Sequence, residues 1–463
     1  MVRHAFLSFA CTALVLLAGC GGDGPDPRPN VLLVLIDSLR EDHLGFAGYG
    51  RNTSPVLDRL AGEGIVFERT YAPSSWTKPS VATLLTGLYP ESHGVLREIG
   101  PGAVLAGDLV TVAEALRGAG YATYGFVANP LVNPEFGFDQ GFDEFRVFDG
   151  WIDQSSGPLT DEVKGWTARA EKGRPFFTFV HYLDPHGAYQ PPINYEEFFR
   201  GIPFPEKRAV LGGLEMVLSG EPRRETGERP VPLPVPVPLS ESDRDFLVAL
   251  YDSEIRFLDG KIGELLETME RRGLLENTLV IVTADHGEEF LDHGLLRHGF
   301  QLYEETVRIP LVIGGPGLPG EFRGARRGEG AGLVDVAPTI LAACGLGAPP
   351  GGGRNLLRAP EEGERLLAGS TFYRGLERRY AAQGDRKLIL DDARGTAELY
   401  DLAADPGEGR NHAGEDEAST AALERALEAH LRDLPAPPPA EATTGRVTDD
   451  LRRKMRALGY VVD

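Results

Sequence analysis

The chain has 463 residues and a formal net charge of −22, with 69 acidic and 47 basic side chains. This acidic balance argues against a nucleic acid partner, although a local metal ion can still make one pocket attractive to a small anion. The length predicts one large α/β domain with a smaller one beside it.

Residues 1–19 are predicted to be a signal peptide rather than part of the fold. The apolar run Ala5–Ala18 is short for a membrane-spanning helix and suits the core of a signal peptide. It ends in Leu17-Ala18-Gly19-Cys20, which resembles the lipobox of bacterial lipoproteins and implies lipidation of Cys20. Residues 20–29 then form a tether. We expect a protein of the cell envelope, lipid-anchored to a membrane and facing the periplasm if the host is Gram-negative; a plain cleaved signal is the alternative.

Apolar runs typical of strands buried on both faces recur along the chain. They cover Asn30–Ile36, Ala122–Ala128, Phe176–Leu183, Thr278–Thr283 and Ile309–Ile313. Helical patterns separate these runs, notably a long one over residues 242–271, and Thr111 with Glu114 makes a capping box. The alternation predicts a doubly wound α/β sheet, with residues 201–240 as a surface insertion.

The stretch Ser74–Gly87 has the pattern of a turn that continues into a helix. Pro79 suits the first helical turn, which places Thr77 at or just before the start of the helix. Free backbone N–H groups at a helix start attract anions, so a hydroxyl there is placed to attack an anionic ester. The alternative is that Thr77 is only a capping residue.

Acidic and imidazole side chains end three of the predicted strands. They are Asp37 after the first run, His181, Asp184 and His186 at the third, and Asp285, His286 and Glu288 at the fourth. Ligands of open α/β sheets bind at the carboxyl ends of strands, so these groups are expected to converge. Carboxylate with imidazole suits Zn²⁺ or Mn²⁺, whereas carboxylates with carbonyls and water suit Ca²⁺ or Mg²⁺.

Taken together, the motifs resemble the sulfatase family of the alkaline-phosphatase-like superfamily. The matching segments are Pro79-Ser80, Leu84–Gly87, Gly120–Thr123, Asp285–Glu288, Tyr303–Glu305, Arg308–Leu311, Asp335–Thr339, Glu398–Leu402 and Asp405-Pro406. The resemblance implies an alkaline-phosphatase-like doubly wound sheet over residues 30–354. It also implies a smaller C-terminal α+β subdomain over residues 355–434, and residues 435–463 are a linker and a terminal helix.

The resemblance also assigns roles to individual residues. It implies that Asp37, Asp285 and His286 bind the principal metal ion and that Thr77 occupies the position of the nucleophile. His186 corresponds to a histidine that contacts the substrate anion, and His298 stands where sulfatases carry a lysine on the leaving-group side. Lys78 and Asn129, together with backbone N–H groups, are expected to hold the equatorial oxygens of the ester, and Asp184 is a candidate ligand of a second ion. The expected cofactor is one or two divalent ions of Zn, Mn or Ca.

Departures from the sulfatase pattern decide which chemistry we expect. Sulfatases convert Cys or Ser to formylglycine at the position of Thr77, and the arginine that supports this group is replaced by Val81. The pattern therefore favours a phosphodiesterase or phosphonate-ester hydrolase that acts through Thr77. Three alternatives stay open: a formylglycine-independent sulfatase, a transferase of phospho groups on envelope polymers, and a non-catalytic metal-binding protein. The expected substrate is an anionic ester, either a small molecule or carried on a polymer.

Overall fold

The structure, a computed structural model, describes most of the chain. Its described residues are 28–148, 155–171, 173–187, 189–192, 195–202, 239–347, 351–359, 363–439, 442 and 447–457. The predicted signal peptide, Cys20 and most of the tether lie outside these residues, as do residues 203–238 of the predicted insertion. Within the described ranges, none of the helices combines the length and the apolar character that crossing a bilayer requires.

Strands and helices alternate over most of the described chain. The strands β1–β17 are Asn30–Ile36, Ile65–Phe67, Thr70–Tyr71, Ala122–Val127, Glu144–Val147, Phe176–Tyr182, Thr278–Ala284, Glu289–Phe290, Leu296–Arg297, Arg308–Ile309, Leu311–Gly314, Ala325–Arg327, Ala331–Gly332, Leu367–Thr371, Arg378–Gln383, Arg386–Asp391 and Thr396–Asp401. The α-helices are Pro55–Glu63, Thr77–Thr86, Pro90–His93, Val112–Gly118, Ser156–Thr167, Glu241–Arg271, Glu304–Val307, Val336–Ala343, Glu417–Asp433 and Asp449–Ala457. The predicted capping box is present, because the Thr111 hydroxyl accepts a hydrogen bond from the backbone N–H of Glu114.

One predicted strand, Ile309–Ile313, is wrong as a single element. The structure divides it into β10, which pairs with β3 in a small sheet, and β11, which pairs with β7 and β2 in the central sheet. Pro310 lies between the two strands and has no N–H for a ladder hydrogen bond. The chain can therefore change sheets at this residue.

The central sheet confirms the α/β fold class, and its order is β12-β2-β11-β7-β1-β6-β4-β5. The five strands β7, β1, β6, β4 and β5 run parallel to one another. Strand β11 runs antiparallel to β7, so the sheet is mixed. β1 lies between β7 and β6, and its residues Val31–Ile36 are fully buried. In register, Ile36 of β1 stands beside Ala284 of β7 and Tyr182 of β6. The three strands therefore end at the same edge of the sheet.

A smaller subdomain with a four-stranded antiparallel sheet, β14-β15-β16-β17, follows the large domain. The helix Glu417–Asp433 packs on this sheet through Leu423 and Leu427. The last described helix, Asp449–Ala457, instead buries Leu451 and Met455 in the core of the large domain. The two helices of the C-terminal part thus pack on different parts of the molecule, the first on the small sheet and the second on the large domain.

A buried ion pair joins the two parts of the molecule. Lys387 of β16 is fully buried, and its Nζ lies 2.9 Å from Glu304 Oε1 and 2.9 Å from Glu408 Oε1. Glu304 begins the short helix Glu304–Val307 of the large domain. Because a buried charge needs partners, this triad fixes how the small sheet sits on the large domain.

We predict that Lys387→Met lowers the free energy of unfolding by about 3–5 kcal/mol, because it leaves two largely buried carboxylates without their cation. Urea denaturation followed by circular dichroism measures this loss. The matched control is Arg386→Met on the same strand, whose 41% exposed guanidinium lies 3.5 Å from Asp401. We expect this control to cost about 1 kcal/mol or less. Equal losses in the two variants would contradict the role given to Lys387.

Candidate active site

Three parallel strands bring a cluster of potential metal ligands to one edge of the sheet. Asp37 follows β1, Asp285 follows β7, and His181 lies within β6. Each offers one ligand atom, and these atoms lie within 4.8 Å of one another. All three side chains are fully buried. In the described part of the chain, this is the only group of three or more such side chains that lie so close together.

Hydrogen bonds from neighbouring residues fix the orientation of both carboxylates. Asn129 Nδ2 donates to Asp37 Oδ2 at 2.6 Å, and Ser38 Oγ donates to Asp37 Oδ1 at 2.9 Å. The backbone N–H groups of Ser38 and His286 donate to Asp285 Oδ1 at 3.1 and 2.9 Å. The amide of Asn129 therefore orients the Asp37 carboxylate. This contact by itself accounts for an amide side chain at position 129.

Other polar atoms of the cluster lack such partners. Asp285 Oδ2 and both ring nitrogens of His181 are buried and make no hydrogen bond to the described residues, although His181 Nε2 lies 3.5 Å from Asp37 Oδ2. Burial of unsatisfied polar atoms is costly, which makes a bound cation a fitting partner for them. Two carboxylates with an imidazole form a donor set that suits Zn²⁺ or Mn²⁺. The residues present therefore fit a divalent ion.

The two carboxylates of the cluster differ strongly in acidity. Burial raises the pKa of Asp285 well above its ordinary value, and the nearby Asp37 carboxylate adds to this rise. Burial acts on Asp37 in the same sense, but the contacts with His181, His186 and His286 outweigh it and hold the pKa of Asp37 far below its usual range. Asp37 is thus the more acidic of the two carboxyl groups.

Thr77 lies beside this cluster as the first residue of the helix Thr77–Thr86. Trp76 occupies the N-cap, so Thr77 is not the capping residue of this helix. The fully buried Thr77 hydroxyl lies 3.3 Å from His286 Nε2. The other ring nitrogen, His286 Nδ1, lies 2.8 Å from the carbonyl oxygen of Gly287, which can only accept. His286 Nδ1 therefore carries the hydrogen, and the lone pair of Nε2 faces Thr77.

His286 also borders the ligand cluster. Its Nε2 lies 3.7 Å from Asp37 Oδ1 and 3.4 Å from Asp285 Oδ2. The three residues that the sequence assigned to the principal metal ion are thus neighbours in space, together with His181.

Two further histidines complete this wall of the site. The ring centroid of His298 lies 4.2 Å from that of His286 and 5.0 Å from that of His186. His298 Nδ1 lies 3.0 Å from Glu288 Oε1, and Glu288 Oε2 accepts a hydrogen bond from the Tyr189 hydroxyl. Burial lowers the pKa of His186 to about 3, so this ring is neutral at ordinary pH. The structure thus gathers His186 and His298 around His286, the histidine that lies beside Thr77.

Lys78 and Asp184 lie differently from their predicted roles. The fully buried Lys78 directs its Nζ to the carbonyl oxygen of Glu98 at 2.9 Å and over the ring of Phe136, 3.2 Å from the centroid. Asp184 Oδ2 accepts a hydrogen bond from the backbone N–H of Ser156 at 2.8 Å, at the start of the helix Ser156–Thr167. The geometry favours a packing role for Lys78 and an anchoring role for Asp184, and it gives no support to substrate binding by Lys78 or to a second metal site at Asp184.

His181 and Glu288 both belong to the site. The sequence pattern placed them among the side chains expected to converge but gave neither of them an individual role. The signal for His181 was a single imidazole inside the apolar run Phe176–Leu183, where a buried polar ring requires a partner. The signal for Glu288 was its position two residues after His286, which the turn at Gly287 folds back toward His298.

Comparison with known proteins agrees with this geometry. The sequence profile of the family described as Sulfatase matches residues 29–346. The chain belongs to the sulfatase family. It is 24% identical to an N-acetylglucosamine-6-O-sulfatase of Bacteroides thetaiotaomicron, over 88% of this chain and 86% of that protein. It is 28% identical to human arylsulfatase A, over 72% of this chain and 68% of that protein.

Solved structures show the same fold. A structure solved with its substrate D-glucosamine-2-N,6-O-disulfate superposes with a TM-score of 0.71 at 23% identity, over 88% of this chain and 98% of that one. A phosphonate monoester hydrolase of Agrobacterium radiobacter gives a TM-score of 0.70 at 22% identity, over 88% of this chain and 95% of that one. As a member of the sulfatase family, the protein is a hydrolase that acts on ester bonds.

We predict that His181→Gln weakens binding of Zn²⁺ or Mn²⁺ by at least about tenfold, because it removes one of three ligands in the cluster. Titration calorimetry of chelator-treated protein measures the affinity. The control is His412→Gln, a histidine that pairs with Glu415 outside the site. Unchanged affinity in His181→Gln would remove His181 from the ligand set.

Proposed function

We propose that this sulfatase-family hydrolase cleaves anionic phosphorus esters, namely phosphodiesters or phosphonate esters, with Thr77 as its nucleophile. The observation that carries the proposal is the 3.3 Å separation between Thr77 Oγ1 and the lone-pair nitrogen of His286. A hydroxyl beside a base is the arrangement that nucleophilic catalysis requires. The position of Thr77 at a helix start adds backbone donors for an anion.

The residues around Thr77 support a threonine hydroxyl rather than formylglycine. Formylglycine is made from Cys or Ser in the family that the chain resembles, and Thr77 is neither. Val81, which replaces the family's supporting arginine, is fully buried in the apolar core. It offers no polar group to a modified side chain.

The reaction then proceeds in two displacements. Thr77 Oγ1 forms a bond to phosphorus while the bond from phosphorus to the leaving oxygen breaks. His286 acts here as the base and not as a metal ligand, because its one lone pair, on Nε2, cannot serve both roles. The Thr77 proton passes to His286 Nε2 and from there to the departing oxygen, with His298 on the leaving-group side. Water next attacks the phospho-threonine, the bond from phosphorus to Thr77 Oγ1 breaks, and the hydroxyl is restored.

A divalent ion fits this scheme at Asp37, His181 and Asp285, with His286 beside them. When bound, it supplies positive charge that polarises the ester and offsets the charge of the attacked group. The protein's own contribution is the orientation of the ligands, because Asn129 and Ser38 hold Asp37 by hydrogen bonds.

Sulfate esters are the second candidate substrate, and the comparisons favour them. Several relatives carry the names of sulfatases, among them an arylsulfatase of Clostridium perfringens that is 24% identical over 82% of this chain. The phosphonate monoester hydrolases support the first candidate through fold likeness alone. Thr77 is the residue that separates the two candidates, because an unmodified alkoxide is a suitable nucleophile for phosphorus.

We also propose that the protein works in the cell envelope, held by a lipid at Cys20, on esters that a polymer or a small molecule carries. The lipobox-like sequence supports this location. Labelling of the intact protein with a fatty acid in its host, compared with Cys20→Ala, tests the anchor.

We predict that Thr77→Ala lowers kcat/KM by at least about 10³-fold, because it removes the nucleophile. The assay uses the purified protein with Zn²⁺ or Mn²⁺ and the nitrophenyl esters of a phosphodiester, a phosphonate and a sulfate. Thr77→Ser keeps a hydroxyl and is expected to retain turnover. Thr86→Ala is the control for the helix, since its hydroxyl bonds to backbone groups away from the site, namely the carbonyl oxygen of Ala82 and the N–H of Leu88.

Each outcome of this assay separates the candidates. Phosphorus-ester turnover that Thr77→Ala abolishes supports the proposal. Sulfate turnover in preference to phosphorus esters would favour the second candidate, and turnover that survives Thr77→Ala would overturn the threonine mechanism.

A further inference from the structure

A turn of the small subdomain reaches the active site between the nucleophile and His298. This turn follows β14 and contains Tyr373 and Arg374. The ring of Tyr373 lies 5.4 Å from that of Trp76, the residue before Thr77, and 5.3 Å from that of Phe300, two residues after His298. The turn is therefore in contact with both sides of the reacting centre.

The glycine at position 299 makes this approach feasible. A Cβ at Gly299 would stand 2.8 Å from a ring carbon of Tyr373, and the backbone there has a φ of +90°. Only glycine combines that conformation with so close a ring. The absence of a side chain at Gly299 thus leaves room for the ring of Tyr373.

Arg374 is held at this place by aromatic rings. Its guanidinium carbon lies 5.0 Å from the ring centroid of Tyr373 and 5.9 Å from that of Phe300. Guanidinium groups stack favourably on such rings, which restrains the side chain while its N–H groups still point to other partners. Arg374 is only half-buried.

A second arginine directly precedes His298 in the chain. Arg297 ends β9 directly before this histidine, opposite Glu289 of β8, and is also half-buried. The backbone φ is 76° at Arg297 and 51° at Arg374. Left-handed φ values are uncommon for residues other than glycine and concentrate at functional sites. Among the described residues, Ser38 beside Asp37 is another of the few that adopt one.

The positive charges of both arginines lower the pKa of the same histidine, His298. Burial is the main reason why the pKa of His298 lies well below its ordinary value, and the charges of His286, Arg297 and Arg374 add to this effect. The carboxylates that face the arginines are Glu98 and Glu288.

We propose that Arg297 and Arg374 form a second anion-binding subsite, on the leaving-group side of the active site. This inference rests on the proposed function and deepens it. The subsite selects esters whose leaving part carries its own negative charge close to the cleaved bond, such as a carboxylate, sulfate or phosphate. Guanidinium groups recognise such oxyanions by paired hydrogen bonds. Polymer-borne esters with a repeating negative charge have this property.

The test compares two esters that differ by one charge. Both have the same phosphonate group, and the leaving nitrophenol is either plain or carries a carboxylate. A matching pair of sulfate esters is assayed in parallel. The quantity measured is the selectivity, defined as kcat/KM for the carboxylated ester divided by kcat/KM for the plain one.

We predict that Arg374→Gln lowers this selectivity by about tenfold, the loss expected for one charge-assisted contact. Arg297→Gln is expected to lower it in the same direction, and Arg374→Lys to keep part of it. The control is Arg394→Gln, an arginine of the same subdomain that is 68% exposed and pairs with Asp391. This control is expected to leave the selectivity unchanged.

Salt gives a readout that needs no variant. Higher ionic strength is expected to lower the selectivity of the native protein, because the subsite is half-exposed and its field is screened. Native selectivity of one at low salt, or equal selectivity in Arg374→Gln, Arg297→Gln and the native protein, would overturn the subsite. Failure of the native protein to cleave any of the esters would instead overturn the proposed function.

Discussion

The structure depends on the burial of charge at the end of β1. Val31–Ile36 are fully buried, so the strand carries Asp37 to a place without water. A buried carboxylate is tolerated only with partners, and here the partners come from separate strands and loops. Asn129 follows β4, His181 lies in β6, and His286 follows β7. The need of the buried Asp37 carboxylate for partners therefore also fixes the central strands relative to one another.

This constraint also explains why the helix Thr77–Thr86 is so deeply buried. The first turn of the helix must place a hydroxyl next to His286, and residues Thr77–Thr86 are buried along their whole length. Lys78 cannot reach water from such a position. Its ammonium is placed over the ring of Phe136 and against a carbonyl oxygen, which replaces part of its hydration.

Much of the fold could be predicted from the sequence, because buried parallel strands appear as apolar runs with a length and spacing that few other elements share. The convergence of Asp37, Asp285 and His286 followed from the rule that parallel strands end at one edge. What could not be predicted depends on tertiary contacts. Asp184 and His186 are two residues apart, yet one anchors a helix and the other faces His298. The apolar residues around Pro310 predicted one strand over Ile309–Ile313, whereas in the structure Pro310 separates two strands.

The turn at Tyr373 and Arg374 brings side chains of the small subdomain next to the candidate active site of the large domain. The proposed metal ligands Asp37, His181 and Asp285 lie at the edge of the central sheet, and Thr77 begins a buried helix beside them. The turn belongs to the antiparallel sheet, which the ion pair between Lys387 and Glu304 joins to the large domain. A hydrolase built in this way can acquire a new preference by changing the length or side chains of one surface turn, while its reactive groups stay under selection for constancy.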